Sequence, residues 1–327
     1  MFQALHLTQQ DGRTVTELRG LDDTDLPDGD VTVRVEYSSL NYKDALAITG
    51  RGPVVRKWPL VPGIDLAGVV ESSNSPEWRM GDRVVVNGWG IGETDWGGFS
   101  QKARVKAGWL LRLPPELSTR EAAAIGTAGY TAALCVMALQ RHGLKPGDGA
   151  VVVTGASGGV GSVAVALLAG LGYPVTAATG KPHEADYLHG LGAVDIIARD
   201  ELGAPGKPLQ RERWAGAVDT AGSHTLANIC AQLKWNSAVA ACGLAQGGDF
   251  PSSVMPFILR GATLYGINCV FVDNAIRAQA YALLAAHLPK ARLEEMTREV
   301  GLGEVTTASH ELLDGKRKGR TVVNVDR

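Results

Sequence analysis

Residues 151–172 read VVVTGASGGVGSVAVALLAGLG. An apolar strand starting at Ala150 runs into a glycine-rich turn and then into a helix over 160–171, which Gly172 stops. Within the turn, Ala156-x-Gly158-x-x-Gly161 is the dinucleotide fingerprint with alanine in its first slot. The chemistry requires these residue types. The chain must turn tightly, a Cβ at Gly158 would block a diphosphate, and Gly161 lets the helix approach closely. The helix start then offers free N–H groups and partial positive charge to the phosphates. Ala156, Ser157, Gly158, Gly159, Val160 and Gly161 are therefore candidate cofactor contacts. The plainer alternative is a glycine-rich turn in an α/β domain without a ligand.

Downstream, strand patterns at 174–178, 194–198, 214–220, 238–242 and 263–266 alternate with helical stretches such as 183–191. That alternation predicts parallel βαβ units and a doubly wound sheet. The end of the second strand selects the dinucleotide. NAD sites carry an acid there for the ribose 2′-hydroxyl. This chain reads Ala177-Ala178-Thr179-Gly180-Lys181, a hydroxyl and a cation without an acid. The pattern favours the 2′-phosphate of NADPH over NADH, with Thr179, Gly180, Lys181 and, after the third strand, Arg199 as its candidate contacts. A solvated surface role is the alternative for Lys181 and Arg199.

Upstream the grammar changes. Residues 30–37 (DVTVRVEY) alternate polar and apolar side chains, and 68–71, 83–87 and 99–105 continue as strands between glycine-bearing turns. These predict a small irregular barrel. Ser118 and Glu121 form a capping-box pattern that opens a long Ala-rich helix to about 142. Residues 274–287 form an amphipathic helix and 321–325 a last strand. The polar stretch 200–213 reads as a surface loop, and the basic run 315–320 (GKRKGR) as a solvated turn, with a phosphate contact as the lesser alternative.

The 327 residues suit two domains, and 45% hydrophobic with 20% charged residues is a globular composition. A formal net charge of −2 lacks the basic surplus of nucleic-acid binders. The apolar stretch 160–171, broken by glycines, is too short to span a bilayer, so no membrane is expected. The four cysteines form no CxxC pair and read as buried core residues, and the N-terminus carries no signal pattern, so the expected compartment is the cytoplasm.

A second motif, PGIDLAG at 62–68, precedes the dinucleotide region. Together they resemble the medium-chain dehydrogenase/reductase superfamily. Its zinc alcohol dehydrogenases carry Gly-His-Glu here, with the His on catalytic zinc. This chain has Ile64 and Asp65 at those places, reads Leu40-Asn41-Tyr42-Lys43-Asp44 where an upstream zinc Cys would stand, and scatters its seven His residues. No metal is expected. The segments SSLNYKDALAITG (38–50), IGTAGYTAALCV (125–136), AACGLAQG (240–247) and PFILRG (256–261) narrow the resemblance to NADPH-dependent acrylyl-CoA reductases and related quinone oxidoreductases, along essentially the whole chain. Gly266-Ile267-Asn268-Cys269 departs from that family's Gly-Ile-Asp-Ser, and Lys181 stands where the family has Arg.

The resemblance implies a GroES-like β-barrel catalytic domain (1–118) with an inserted Rossmann domain (119–271), and a return to the first domain at 272–327. Ligand and cofactor are expected to meet in the cleft of such a pair. It implies hydride transfer to the β-carbon of a short 2-enoyl-CoA and protonation of the enolate at the α-carbon. Asn41, Tyr42 and Asp44 match the family's Asn-Tyr-Lys-Asp segment and are the catalytic candidates. Asn41 is a candidate donor to a ligand carbonyl or to a water. Tyr42 is a candidate nicotinamide contact or proton donor, and Asp44 a candidate for orienting both. A packed turn of mutually satisfied polar groups is the alternative. An ordinary phenol is a weak acid at neutral pH, so water is another proton source. Thr127, Leu244, Ile267 and Asn324 are weaker cofactor candidates by resemblance alone. Arg51, Arg56 and Lys57 are candidate contacts for the CoA phosphates, with ordinary surface charges as the favoured alternative. A homodimer is expected by analogy. A quinone or enone reductase, and a protein that holds NADPH without turnover, are the competing functions.

Overall fold

The alternation over 30–37 becomes β3 (Val31–Ser39) in the computed structural model, which describes residues 1–327. Val31, Val33 and Val35 point into a core with Leu66, Val84 and Val86. β3 lies in a seven-stranded sheet of order β14-β15-β3-β4-β5-β7, where β4 is Asp65–Ser73, β5 Arg83–Asn87, β7 Leu111–Arg112, β14 Thr297–Gly301 and β15 Arg320–Asn324. β6 (Lys102–Val105) also pairs with β3. A hairpin of β1 (Phe2–Gln10) and β2 (Arg13–Leu21) precedes this sheet. Helix α1 (Tyr42–Thr49) follows β3 directly, and Gly50 ends it in the left-handed region.

Helix α2 (Thr119–His142) starts at the expected capping box, with Ser118 N 2.7 Å from Glu121 Oε2 and Glu121 N 3.1 Å from Ser118 Oγ. It has the length and apolarity of a membrane span, yet 89% of that apolar window is buried, as in a core helix. Its direction breaks at Gly126 (φ 50°, ψ −165°). Periodicity did not foresee this bend.

The remaining strands form one wholly parallel sheet of order β10-β9-β8-β11-β12-β13. These are β8 (Val151–Thr154), β9 (Val175–Thr179), β10 (Asp195–Ala198), β11 (Trp214–Asp219), β12 (Leu233–Ala241) and β13 (Thr263–Gly266). Numbered from β8, the order is 3-2-1-4-5-6, that of a dinucleotide-binding fold whose strand order reverses beside the first strand. The helices are α3 (Gly159–Gly170), α4 (Ala185–Gly190), α5 (Asp200–Gly203), α6 (Ser223–Gln232) and α7 (Met255–Arg260), then α8 (Asn274–His287), α9 (Lys290–Glu295) and α10 (Val305–Leu313). Val163, Ala164, Val165, Ala166, Leu167 and Leu168 of α3 are all buried, so this helix has no polar face to show.

Two compact units result. One comprises Met1–Thr127, Cys269–Ala285 and Met296–Arg327, and the other Ala128–Asn268 and Ala286–Glu295. The first break falls at 127/128, not at the expected 118/119. The reason is local: the opening turns of α2 are bound into the first unit, by Arg120 Nε to Glu299 Oε2 at 2.8 Å and by Arg320 Nε to Ala124 O at 2.7 Å.

Candidate functional site

In the parallel-sheet unit, β8 ends at Thr154 and the chain reverses through Gly155 (φ 56°), Ala156, Ser157 and Gly158 into α3. The first intrahelical bond runs from Ser162 N to Gly158 O at 2.9 Å, and no side chain caps the helix. The N–H groups of Gly159, Val160 and Gly161 therefore have no intrahelical acceptor, the arrangement that receives an anion. The two glycines differ in what they do. A Cβ on Gly161 would lie 2.7 Å from Ala156 Cα and collide with the Gly155 carbonyl, so the turn itself demands glycine. A Cβ on Gly158 would meet only Gly155 O, at 3.1 Å. Little in the protein fills that space, which fits a diphosphate there. Behind the turn, Tyr187 Oη donates to Ser162 Oγ at 2.8 Å and Ser162 Oγ donates to Ala156 O at 3.2 Å. This brace joins α4 to α3, and no local pattern announced it.

Thr179, Gly180, Lys181 and Arg199 converge at the carboxyl end of β9 and β10. Lys181 N donates to Thr179 Oγ1 at 3.0 Å, and Arg199 N donates to Thr179 O at 2.8 Å. The Arg199 guanidinium covers Gly180 so closely that a Cβ there would sit 2.9 Å from its Cζ. An acid does reach this strand end, contrary to the local sequence: Glu184 Oε1 lies 3.6 Å from Lys181 Nζ. It arrives from the following turn, five residues beyond Thr179. Leu244, exposed, and Ile267, half-buried, follow β12 and β13 at the same edge of the sheet.

In the other unit, two expected residues, Asn41 and Thr127, and two unexpected ones, Ser39 and Asn87, gather around Asp65. Its carboxylate accepts Ser39 Oγ at 2.6 Å, Asn41 Nδ2 at 2.8 Å, Asn87 Nδ2 at 2.6 Å, Thr127 Oγ1 at 2.6 Å and Thr127 N at 2.9 Å. Asp44 accepts Asn41 N on Oδ2 and Ile64 N on Oδ1, both at 2.9 Å. Arg320 donates to Asn41 Oδ1 at 3.2 Å and Ser39 Oγ at 2.9 Å. Asp44, Asp65 and Arg320 are each at most 2% exposed. The Asn41 amide is thus engaged on both sides inside the protein. Tyr42 differs: it opens α1 with 62% of its surface exposed. Asn324 stands apart, its Nδ2 3.1 Å from Glu299 Oε1. Arg51 pairs with Asp314 at 3.5 Å, while Arg56 and Lys57 are exposed.

Burial, reinforced by the Asp65 carboxylate, pushes Asp44 up to about 7. Arg320 is pulled below its usual range by the same burial. A raised carboxyl binds its proton more readily folded than unfolded. The stability this gives is full below the unfolded value of 3.8 and is lost as pH rises through about 7. Asp44→Asn, neutral throughout, should flatten the fall in urea midpoint between pH 5 and pH 8 relative to the unaltered chain. An unchanged pH slope would show that Asp44 is not the group responsible.

Arg320 is a correction to the basic run at 315–320, whose last residue is fully buried instead of solvated. The Asp65 carboxylate spends its acceptor capacity on the protein's own donors. No group of three or more His, Cys, Asp or Glu lies close enough to hold a metal ion.

A 3-2-1-4-5-6 parallel sheet with a glycine turn after its central strand, in a chain whose other unit is an antiparallel-rich sheet, defines a nucleotide-dependent dehydrogenase/reductase. The model of the alcohol dehydrogenase GroES-like domain matches residues 27–115. The acrylyl-CoA reductase of Ruegeria pomeroyi is 51% identical over 329 residues, covering 100% of both chains. A putative quinone oxidoreductase of Bacillus subtilis is 41% identical and covers 99% of each chain. The crystal structure of an oxidoreductase from Salmonella enterica in complex with NADP superposes with a TM-score of 0.97 at 50% identity, covering 99% of each chain. The chain belongs to the medium-chain dehydrogenase/reductase superfamily, in the family that holds these acrylyl-CoA reductases and quinone oxidoreductases.

Proposed function

We propose that this chain reduces the activated carbon–carbon double bond of a short 2-enoyl-CoA, acrylyl-CoA to propanoyl-CoA, with NADPH. The similarity to the Ruegeria pomeroyi acrylyl-CoA reductase along both full lengths carries this reading. The local geometry supports the cofactor half of it: an uncapped helix start with room at Gly158 suits a diphosphate, and two cations beside Thr179 suit a 2′-phosphate. NADPH, when bound, supplies hydride to the β-carbon of the thioester. The chain's own residues bind and orient. Residues 156–161 hold the diphosphate through backbone N–H groups, and Lys181 with Arg199 neutralises the ribose phosphate. Tyr42, exposed at the start of α1, is assigned the ligand contact among the three catalytic candidates. Asn41 and Asp44 are assigned the positioning of that first turn, because their polar atoms are spent on Asp65, Arg320 and the backbone. A homodimeric, cytoplasmic enzyme is part of the proposal; a monomer mass in light scattering would remove the first term.

The test is NADPH oxidation with acrylyl-CoA beside 1,4-benzoquinone. A larger kcat/KM for acrylyl-CoA is expected. A larger value for the quinone would favour the second reading, which the similarity to the Bacillus subtilis protein keeps in view. Lys181→Ala should raise the KM for NADPH about tenfold and leave that for NADH within about twofold. Equal losses for both would take the 2′-phosphate away from this strand end.

A further inference from the structure

Glu184 has no part in the chemistry assigned so far, yet its placement is costly. It closes the turn Pro182–Glu184 after β9, and its side chain is only 8% exposed. Oε1 lies 3.6 Å from Lys181 Nζ, while Oε2 is buried without any hydrogen-bond partner. A buried carboxylate oxygen that lacks a donor destabilises a fold. The Tyr187 hydroxyl, three residues on, donates to Ser162. The other cation of the strand end, Arg199, keeps its own exposed acid, Asp200, at 3.6 Å. What this end of β9 offers an anion therefore depends on how far Glu184 engages the Lys181 ammonium.

We propose that Glu184 sets the preference between NADPH and NADH by competing with the ribose 2′-phosphate for Lys181. The inference rests on the nucleotide lying at this strand end. With NADH, the ammonium stays on Glu184 and the strand end carries little net charge toward a 2′-hydroxyl. With NADPH, the phosphate must share the ammonium with a carboxylate that is fixed by burial, and its affinity is held down. Glu184 thereby narrows the gap between the two nucleotides.

Isothermal titration calorimetry with NADP+ and NAD+ tests this without turnover. In Glu184→Gln, the Kd for NADP+ should tighten about tenfold while that for NAD+ stays within about twofold. Glu184→Asp, which withdraws the carboxylate from Lys181, should move the same way by about threefold and serves if the first variant folds poorly. In a Lys181→Met background, the gain from Glu184→Gln should vanish, because the contested ammonium is gone. Parallel shifts for both nucleotides, a weaker NADP+ affinity, or an undiminished gain without Lys181 would each overturn the proposal. Failure of the unaltered chain to bind NADP+ would overturn the nucleotide assignment and this inference with it, whereas NADP+ binding without a selective gain would overturn this inference alone.

Discussion

Gly161→Ala should cost the chain both stability and nucleotide affinity, whereas Gly158→Ala should cost only affinity. The two glycines sit three residues apart in one turn and meet different surroundings. At 161 the added methyl would press on Ala156 Cα at 2.7 Å and on the Gly155 carbonyl, both backbone. Those atoms cannot step aside. Gly155 is itself packed against the Thr220 hydroxyl, and Thr220 is tied to Thr154 by two hydrogen bonds of 2.9 Å. Overpacking a rigid backbone in this way should cost about 3 kcal/mol, seen as a Tm lower by roughly 6–12 °C. At 158 the backbone is ordinary (φ −79°, ψ 178°) and the methyl meets one atom at 3.1 Å. The Tm should hold within about 1 °C while NADP+ affinity falls about 100-fold, since the methyl takes the space left for a diphosphate. Equal Tm losses, or full affinity in Gly158→Ala, would remove the diphosphate from this turn.

That turn was legible because everything it needs is contiguous: strand, glycines and helix lie within 22 residues, and their periodicities are local. The edge strand β13 (Thr263–Gly266) and the helix α8 (Asn274–His287) were legible in the same way. The cluster around Asp65 was not. Its members come from positions 39, 41, 44, 65, 87, 127 and 320, and only the folded sheet brings them together. Arg320 misled in particular. It ends a run of Gly, Lys and Arg that has the composition of a solvated turn, yet it is also the first residue of β15, and strand pairing takes it inside. Glu184 is not legible because it stands in the turn beyond the strand end, and only the fold brings it to Lys181. The stretch 200–213 holds a short helix, α5, and is tied down by side-chain amides: Gln210 Nε2 to Asn228 Oδ1 at 2.6 Å, and Gln232 Nε2 to Gln210 Oε1 at 2.9 Å. Amide-to-amide bonding of this kind leaves no periodic trace in a sequence.

Asp65→Ala should destabilise the β3–β4 unit by about 3–5 kcal/mol. The carboxylate satisfies five donor groups at once, and removing it leaves Ser39, Asn41, Asn87 and Thr127 with buried, unanswered hydrogens. It also leaves Arg320 without one of the two carboxylates that offset its buried charge. Asp65→Asn keeps the shape but turns an acceptor into a donor among donors, so it should recover little of the loss. Arg320 does not touch Asp65. The two meet through Ser39 Oγ, which donates to Asp65 Oδ2 at 2.6 Å and accepts from Arg320 at 2.9 Å, and through Asn41, bonded to both. A network so joined is not additive. In urea unfolding, Asp65→Asn combined with Arg320→Met should cost less than the sum of the single changes by at least ~1 kcal/mol, because the second change removes a charge that the first has already stranded. Additive losses would mean that the aspartate and the arginine stabilise the unit separately, and that the shared serine and asparagine transmit nothing between them.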